Sequence, residues 1–334
     1  MDQQLIRYAR KLTLFEKFRV ALGYLVSSNS VKSDLNFPKT ISDKYAFVRV
    51  LFPDRKHNKF TFAEYKDKNG KSYIAKQINC NNLSFENYWL RNAIEVHRAI
   101  EDTYAQHDDV IRSKYPEIYI PEFIGAIEDG NRLLLLTEMV YGEDLTDISP
   151  EKRIKIFERV VSYFNFLNTL VNPGNYNFAK RTPFHAFVLF WPILGVSIIR
   201  CPDQIKPILT AAIKFLVQAP FFFAQNKMSL AHRDLGYKNI LLGSDNRIYI
   251  IDFELATYIH PMSEIVQLVI ACWKRSDFFE AFQKSKLMTD IKTDRKTYRL
   301  YKTLSLYSAV HSIATAQKDV LDLSKKYLAY VLTL

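Results

Sequence analysis

Three polar side chains in one stretch have the types and spacing for phosphoryl chemistry. Residues Leu230–Ala256 read LAHRDLGYKNILLGSDNRIYIIDFELA. Asp234 and Asn239 stand five apart around a loop, and Asp252 closes an apolar strand, which holds it on a rigid element. Transfer of a phosphoryl group from a nucleoside triphosphate needs hard oxygen ligands for the metal that accompanies it. It also needs a carboxylate to orient the attacking hydroxyl and accept its proton. A loop Asp, an Asn five residues on and a strand-end Asp meet those needs. His-x-Asp-x-x-x-x-Asn alone is a common string. The specific signal is the second motif, Asp-Phe, which follows Asp234 by 18 residues at the end of an apolar run.

Upstream elements must position these groups. Tyr45–Phe52, Phe60–Tyr65 and Ser72–Ile78 read as strands, with Asp67-Lys68-Asn69-Gly70 as a tight turn between the second and third. Asn-Gly supplies the positive φ that such a hairpin needs. Residues 84–104 carry helical periodicity through Trp89, Leu90, Ala93, Ile94, His97 and Ile100. Phe123–Ile127 and Arg132–Met139 are two more strands across a Glu128–Asn131 turn. Three strands, a helix and two strands predict a five-stranded antiparallel sheet with one helix against it. After Gly142 helical patterns dominate: 149–170, 205–225, 261–284 and 297 to the end. One short strand pair, Ile240–Leu242 and Ile248–Ile251, interrupts them. The fold class expected is α+β in two lobes, with residues 1–44 as a basic amphipathic helix and connector, 45–141 as an N-lobe and 142–334 as a helical C-lobe.

The 334 residues are 48% hydrophobic with only 9 Gly and 12 Pro, which favours an ordered chain. Three cysteines, Cys80, Cys201 and Cys272, are too far apart for a metal-ligand pattern and predict no disulfide framework. No signal-peptide core is evident. The longest uncharged apolar run, Ala186–Ile199, is interrupted by Pro192 and at 14 residues is expected to be too short to span a bilayer as a helix. The chain is therefore expected to be cytoplasmic, with peripheral contact at a membrane surface as a further expectation. The net charge is +11 and sits at the ends: residues 1–60 hold 12 Lys/Arg against 5 Asp/Glu, and 284–326 hold 10 against 4. Such ends suit an anionic membrane or substrate, or a solvated basic surface; nucleic acid is not the expected partner. Leu5, Tyr8, Leu12, Phe15, Leu22 and Leu25 form an apolar stripe over 2–26 that suits either lipid or the body of the protein.

Taken together, Leu230–Ala256 resembles the protein-kinase-like superfamily, and most closely its aminoglycoside phosphotransferase and choline kinase branch. The resemblance covers about residues 45–270, with its strong motifs in 230–256. It implies that Asp234 is the catalytic base or hydroxyl-orienting group and that Asn239 and Asp252 bind magnesium. His232 would support the loop, and Arg233 would pair with a carboxylate or a phosphate. Lys238 either offsets charge on the transferred phosphoryl group or is an exposed loop lysine. Ile74-Ala75-Lys76 resembles the family's lysine strand, so Lys76 would reach the ATP phosphates with Glu95 of the following helix orienting it. Leu134–Leu145 resembles the hinge, where backbone groups around Glu138 and Val140 would bond adenine.

The departures narrow the reading. The loop Pro53–Lys59 has no glycine where a protein kinase expects Gly-x-Gly-x-x-Gly, and offers Arg55, Lys56, His57 and Lys59 instead. Asp252-Phe253-Glu254 replaces Asp-Phe-Gly, no Ala-Pro-Glu follows, and more than 90 residues separate the hinge from Asp234. In the related branch such an interval helps bind the acceptor. The function expected is an ATP- and magnesium-dependent phosphotransferase acting on a hydroxyl of an amino alcohol, sugar or aminoglycoside-like molecule. The alternatives are a lipid-linked, membrane-surface or protein acceptor, and a nonenzymatic pseudokinase. The oligomeric state stays open.

Overall fold

The computed structural model describes residue 5 and residues 37–52, 60–79, 85–128, 132–177, 179–225, 227–273, 275–316 and 318–334. The amphipathic helix expected over 2–26, most of the following connector, the Pro53–Lys59 loop, the tip of the turn at 129–131 and Cys80 lie outside these residues. Packing divides the chain into two units. The first comprises the described residues of Met1–Glu143, Leu170–Phe178 and Leu241–Ala256; the second comprises those of Asp144–Thr169, Ala179–Ile240 and Thr257–Leu334.

In chain order the first unit opens with β1 (Thr40–Ile41), β2 (Tyr45–Leu51), β3 (Thr61–Asp67), β4 (Ser72–Asn79), α1 (Phe85–Lys114), β5 (Ile118–Tyr119), β6 (Phe123–Glu128) and β7 (Arg132–Glu138). The main sheet has the order β1-β2-β3-β4-β7-β6, and all its pairings are antiparallel. It has six strands rather than the expected five, because Thr40–Ile41 pairs with Tyr45–Ala46. The β3–β4 turn is built by Asp67, whose Oδ1 accepts the amides of Asn69 and Lys71 at 2.9 Å each. Gly70 takes φ +82°, a region open to glycine at no steric cost.

Strand side chains alternate between faces, so neighbouring leucines of β7 enter different cores. Leu134 and Leu136 pack with Ala63, Tyr65, Tyr73 and Ala75 on one face. Leu133 and Leu135 pack with Ile78, Phe60 and the α1 residues Leu90, Ala93 and Ile94 on the other. A strand buried on both sides explains the unbroken run of four leucines. Each fully buried leucine contributes about 1.5–3 kcal/mol relative to exposure. Lys76 pairs with Leu135 and shares the parity of Ile78, which puts it on the α1 face. Helix α1 extends ten residues past the expected end, to Lys114, with non-helical dihedrals at His107.

The chain continues through β8 (Glu143–Asp144), α2 (Pro150–Leu170), β9 (Lys180–Arg181), α3 (Pro183–Arg200), α4 (Ile205–Phe223), β10 (Ser229–Ala231), β11 (Ile240–Leu242), β12 (Ile248–Ile250), β13 (Thr257–Ile259), α5 (Met262–Trp273), α6 (Ser276–Gln283), α7 (Lys286–Thr293), α8 (Arg295–Thr315) and α9 (Leu321–Thr333). The helical stretch expected over 261–284 is two helices, α5 and α6, and the last one is also two, α8 and α9. β5 adds to β12 in parallel. In the second unit β13 lies between antiparallel β10 and parallel β9. The uncharged run Ala186–Ile199 is the body of α3, capped by Thr182 and His185 with Pro183 in the first turn. At 18 residues, α3 is long and apolar enough by length and composition to cross a membrane, as is Pro202–Phe223, contrary to the expectation from the uncharged run alone.

Candidate active site

In the first unit the central group is Lys76, nearly buried in the middle of β4. Its Nζ lies 2.6 Å from Asp252 Oδ1 and also donates to Glu254 Oε2. The Phe60 ring lies 4.2 Å from the ammonium. Burial opposes the lysine's charge, but Asp252 and then Glu254 outweigh it, so its pKa is raised. Burial and the neighbouring Asp252 push Glu254 above the usual carboxylate range, against the pull of Lys76. Two carboxylates share one ammonium, so the cluster carries one surplus carboxylate.

Asp252 lies two residues past β12 and adopts φ +67°, ψ 62°, the left-handed region that costs a non-glycine residue energy. Asp is among the few side chains that visit it readily. The turn after it, Phe253–Leu255, is anchored from α1. The Asn92 side-chain amide donates to the Ala256 and Glu254 carbonyls, and His97 meets the buried Phe253 ring at 5.2 Å.

Glu95, the expected partner of Lys76, is engaged elsewhere. Its Oε2 accepts the Asn177 amide at 3.1 Å and lies 3.3 Å from Arg98. Glu254 and Asp252 hold the lysine instead. The hinge also differs in detail from expectation. The Glu138 amide donates to Glu122 O at 2.8 Å and the Met139 amide to Ser72 O at 3.1 Å, while the Glu138 carboxylate pairs with Lys71 at 3.0 Å. Among the described residues the Val140 backbone has no hydrogen-bond partner, so of the two hinge positions named from sequence it is the one with bonding capacity left.

In the second unit Asp234 and Asn239 are brought together by the loop itself. Asn239 Nδ2 donates to Asp234 Oδ2 and to Asp234 O, both at 2.8 Å. The Gly236 amide donates to Asp234 O at 2.6 Å, and the Asn239 amide to Gly236 O at 3.0 Å. With its nitrogen on Asp234, Asn239 keeps a side-chain oxygen for another partner. Asp234 itself is exposed. His232 is fully buried, stacks edge-on against Phe164 and accepts the Asp234 amide through Nδ1 at 3.3 Å, a supporting position. Lys238 is exposed, with its charge near Asp144.

Arg233 has φ +65°, and its backbone amide donates to both oxygens of Glu264, at 3.2 and 2.9 Å. Glu264 is a residue that the sequence reading missed. It lies on the buried side of α5, and burial raises its carboxyl to about 7, against the pull of the Arg233 and His232 amides. An acid inside the apolar pattern Met262-Ser263-Glu264-Ile265-Val266 was the available signal. The Arg233 guanidinium is depressed to about 9 by burial first and Arg181 second. The same unit holds a cavity of about 480 Å³ lined by Asn165, Asn168, Lys227, His260, Glu264 and Lys296 among others, a size that suits a small molecule.

Each unit holds a hard oxygen donor. In the first, Asp252 is a partly exposed carboxylate; in the second, Asn239 keeps a side-chain amide oxygen. No cluster of three or more His, Cys, Asp or Glu residues suited to a metal occurs among the described residues.

A sheet with a buried lysine held to a strand-end Asp, and a His-Arg-Asp loop closed by Asn, define a kinase-like phosphotransferase. Residues 117–301 match the model of the phosphotransferase enzyme family, more than half of the chain, and the protein belongs to that family. It is an enzyme of the kinase type, which transfers phosphate to hydroxyl groups. The fold is shared with a thermostable variant of the aminoglycoside phosphotransferase APH(4)-Ia, solved in ternary complex with AMP-PNP and hygromycin B (TM-score 0.57, 11% identity, 86% of this chain and 94% of that one). It is also shared with an aminoglycoside phosphotransferase from Alicyclobacillus acidocaldarius (0.52, 14%, 90% and 97%). Spectinomycin phosphotransferase APH(9)-Ia with ADP and spectinomycin is similar too (0.50, 14%, 86% and 89%). A sequence search of curated proteins returned no match.

Proposed function

We propose that this enzyme moves the γ-phosphate of ATP, with magnesium, to a hydroxyl of a small molecule of the amino alcohol, sugar or aminoglycoside class. The observation that carries the reading is the constellation of Lys76, Asp252 and Glu254: a buried ammonium held at the end of a strand by carboxylates in surplus. The similar structures solved with AMP-PNP or ADP and a small-molecule acceptor support it. So does the small-molecule-sized cavity of the second unit.

Each residue's chemistry follows from its setting. Lys76 supplies positive charge to the phosphates, and Val140 supplies backbone hydrogen bonds to the adenine. Asp252 offers a carboxylate oxygen and Asn239 an amide oxygen to magnesium, which when bound neutralises phosphate charge. Asp234 orients the acceptor hydroxyl and takes its proton on the carboxylate that Asn239 holds in place. Glu264 and His232 keep that carboxylate's backbone fixed.

The test pairs binding with turnover. ATP with magnesium at 100-fold over Kd should stabilise the protein by about 2.7 kcal/mol, and EDTA should remove that gain. Labelled ATP offered with amino alcohols, sugars and aminoglycosides should label at least one class. No magnesium-dependent shift together with no transfer to any of them would overturn the proposal.

A further inference from the structure

Helices α3 and α4 carry an apolar surface that the catalytic reading does not use. On α3 the exposed residues Phe184, Val188, Trp191, Gly195 and Ile199 recur every three or four positions, so they form one stripe. On α4 Ile205, Leu209, Ile213 and Val217 do the same. Exposure is large for such side chains: 50% for Trp191, 80% for Ile199, 62% for Ile213 and 68% for Val217. Scattered exposed apolar residues need no explanation, but two aligned stripes on adjoining helices do. The helices run antiparallel, since Phe187 meets Phe223 at 5.3 Å and Phe190 meets Phe215 at 4.5 Å. The helices are about 27 and 28 Å long at 1.5 Å per residue.

The opposite side of the pair is packed on the protein. Ser197 Oγ donates to Val310 O of α8 at 2.9 Å, Arg200 donates to the carbonyls of Ala314 and Ala316, and the Phe215 ring lies 5.8 Å from that of Tyr307. Helices built into a helical unit along one side are placed to lie on a bilayer rather than cross it.

Charge chooses the occupant. Between Pro183 and Phe223 the only acidic residue is Asp203, and Lys325 neutralises it at 2.9 Å. The Lys and Arg residues in that stretch are Arg200, Lys206 and Lys214; both lysines are exposed, and Lys214 Nζ donates to the neutral Leu332 carbonyl at 2.9 Å. Long lysine stems lie along apolar surface and extend their charge to its rim. Two copies of this face would set like charges against each other. An anionic lipid surface complements them, and Trp191 suits the headgroup boundary.

We infer that the α3–α4 face docks in the plane of an anionic bilayer. The inference stands independently of the phosphotransferase reading. The full chain is sedimented with phosphatidylcholine vesicles, with and without phosphatidylglycerol, while tryptophan emission is followed. It should bind the mixed vesicles at least about tenfold more strongly than neutral ones, with a blue shift. Trp191→Glu, Ile213→Glu and Val217→Glu should each melt like the parent, because these side chains are exposed, and lose the binding. Lys206→Glu with Lys214→Glu should remove the preference for anionic lipid. The inference is overturned if the parent ignores both vesicles or if the face variants bind unchanged. Loss on reversing Arg10 and Lys11 alone, with the face variants intact, would also overturn it. So would light scattering that shows a dimer dissolved by the face variants, since the face would then cover a second copy.

Discussion

The two groups of candidate site residues are held in opposite ways. The loop that carries Asp234 and Asn239 closes on itself: its defining bonds span five residues or fewer, from Asn239 to Asp234 and from Gly236 to Asp234. The Lys76 cluster joins residues 176 and 178 positions apart. A short loop needs little chain entropy to order, whereas a distant pair depends on everything that folds between its members. Changes in the loop should therefore act mainly on chemistry, and changes in the cluster mainly on the fold around it.

The strongest test of that contrast is Asp234→Asn. Turnover should fall about 10²–10⁴-fold while the magnesium-ATP thermal shift and the melting point stay near those of the parent. A large drop in melting point would make the loop structural after all. Lys76→Met is the counterpart. It leaves Asp252 and Glu254 facing each other without the ammonium, and denaturant titration should show a loss of about 3 kcal/mol. Adding Glu254→Gln should restore part of it, by removing one of the two like charges.

The third prediction concerns pH and a long-range support of the loop. Glu264 has a folded pKa near 7, above its unfolded value, so the folded state binds the extra proton between about 4.5 and 7. Its contribution is most favourable at the acid end and is lost as pH rises through 7. Glu264→Gln removes this dependence, so the difference in stability between variant and parent should change by about 2–3 kcal/mol across that window. A constant difference would refute the assigned burial. Smallest is Asn92→Ala, which leaves the Ala256 carbonyl unpaired. A loss of about 1–2 kcal/mol is expected by chemical denaturation, with little change in the magnesium requirement.

The contrast also explains what could be read in advance. The strands around Lys76, the Asn-Gly turn and the helix after it were legible because alternation, turn chemistry and 3.6-residue periodicity are local. The sixth strand was not, since Thr40–Ile41 is too short to show a pattern and exists only by pairing with β2. Glu95 stands mid-helix beside the apolar face, which is why it reads as the lysine's partner from sequence. Its carboxylate accepts from Asn177 and pairs with Arg98 because residues 170–177 pack within the first unit, which no periodicity announces. Glu264 was hidden for a similar reason: an acid in an apolar helix shows as an anomaly, but its partner amide lies 31 residues away.

The sequence by itself showed the candidate residues Asp234, Asn239 and Asp252 at their spacings, because a loop and the end of an apolar strand are local patterns. Only the tertiary structure decided that Lys76 is shared by Asp252 and Glu254, that Asp252 is held in a left-handed turn anchored by Asn92, and that an apolar run rich in aromatics turns half of itself outward. Those outcomes depend on which distant surfaces meet, and packing free energy, rather than any local preference, selects them.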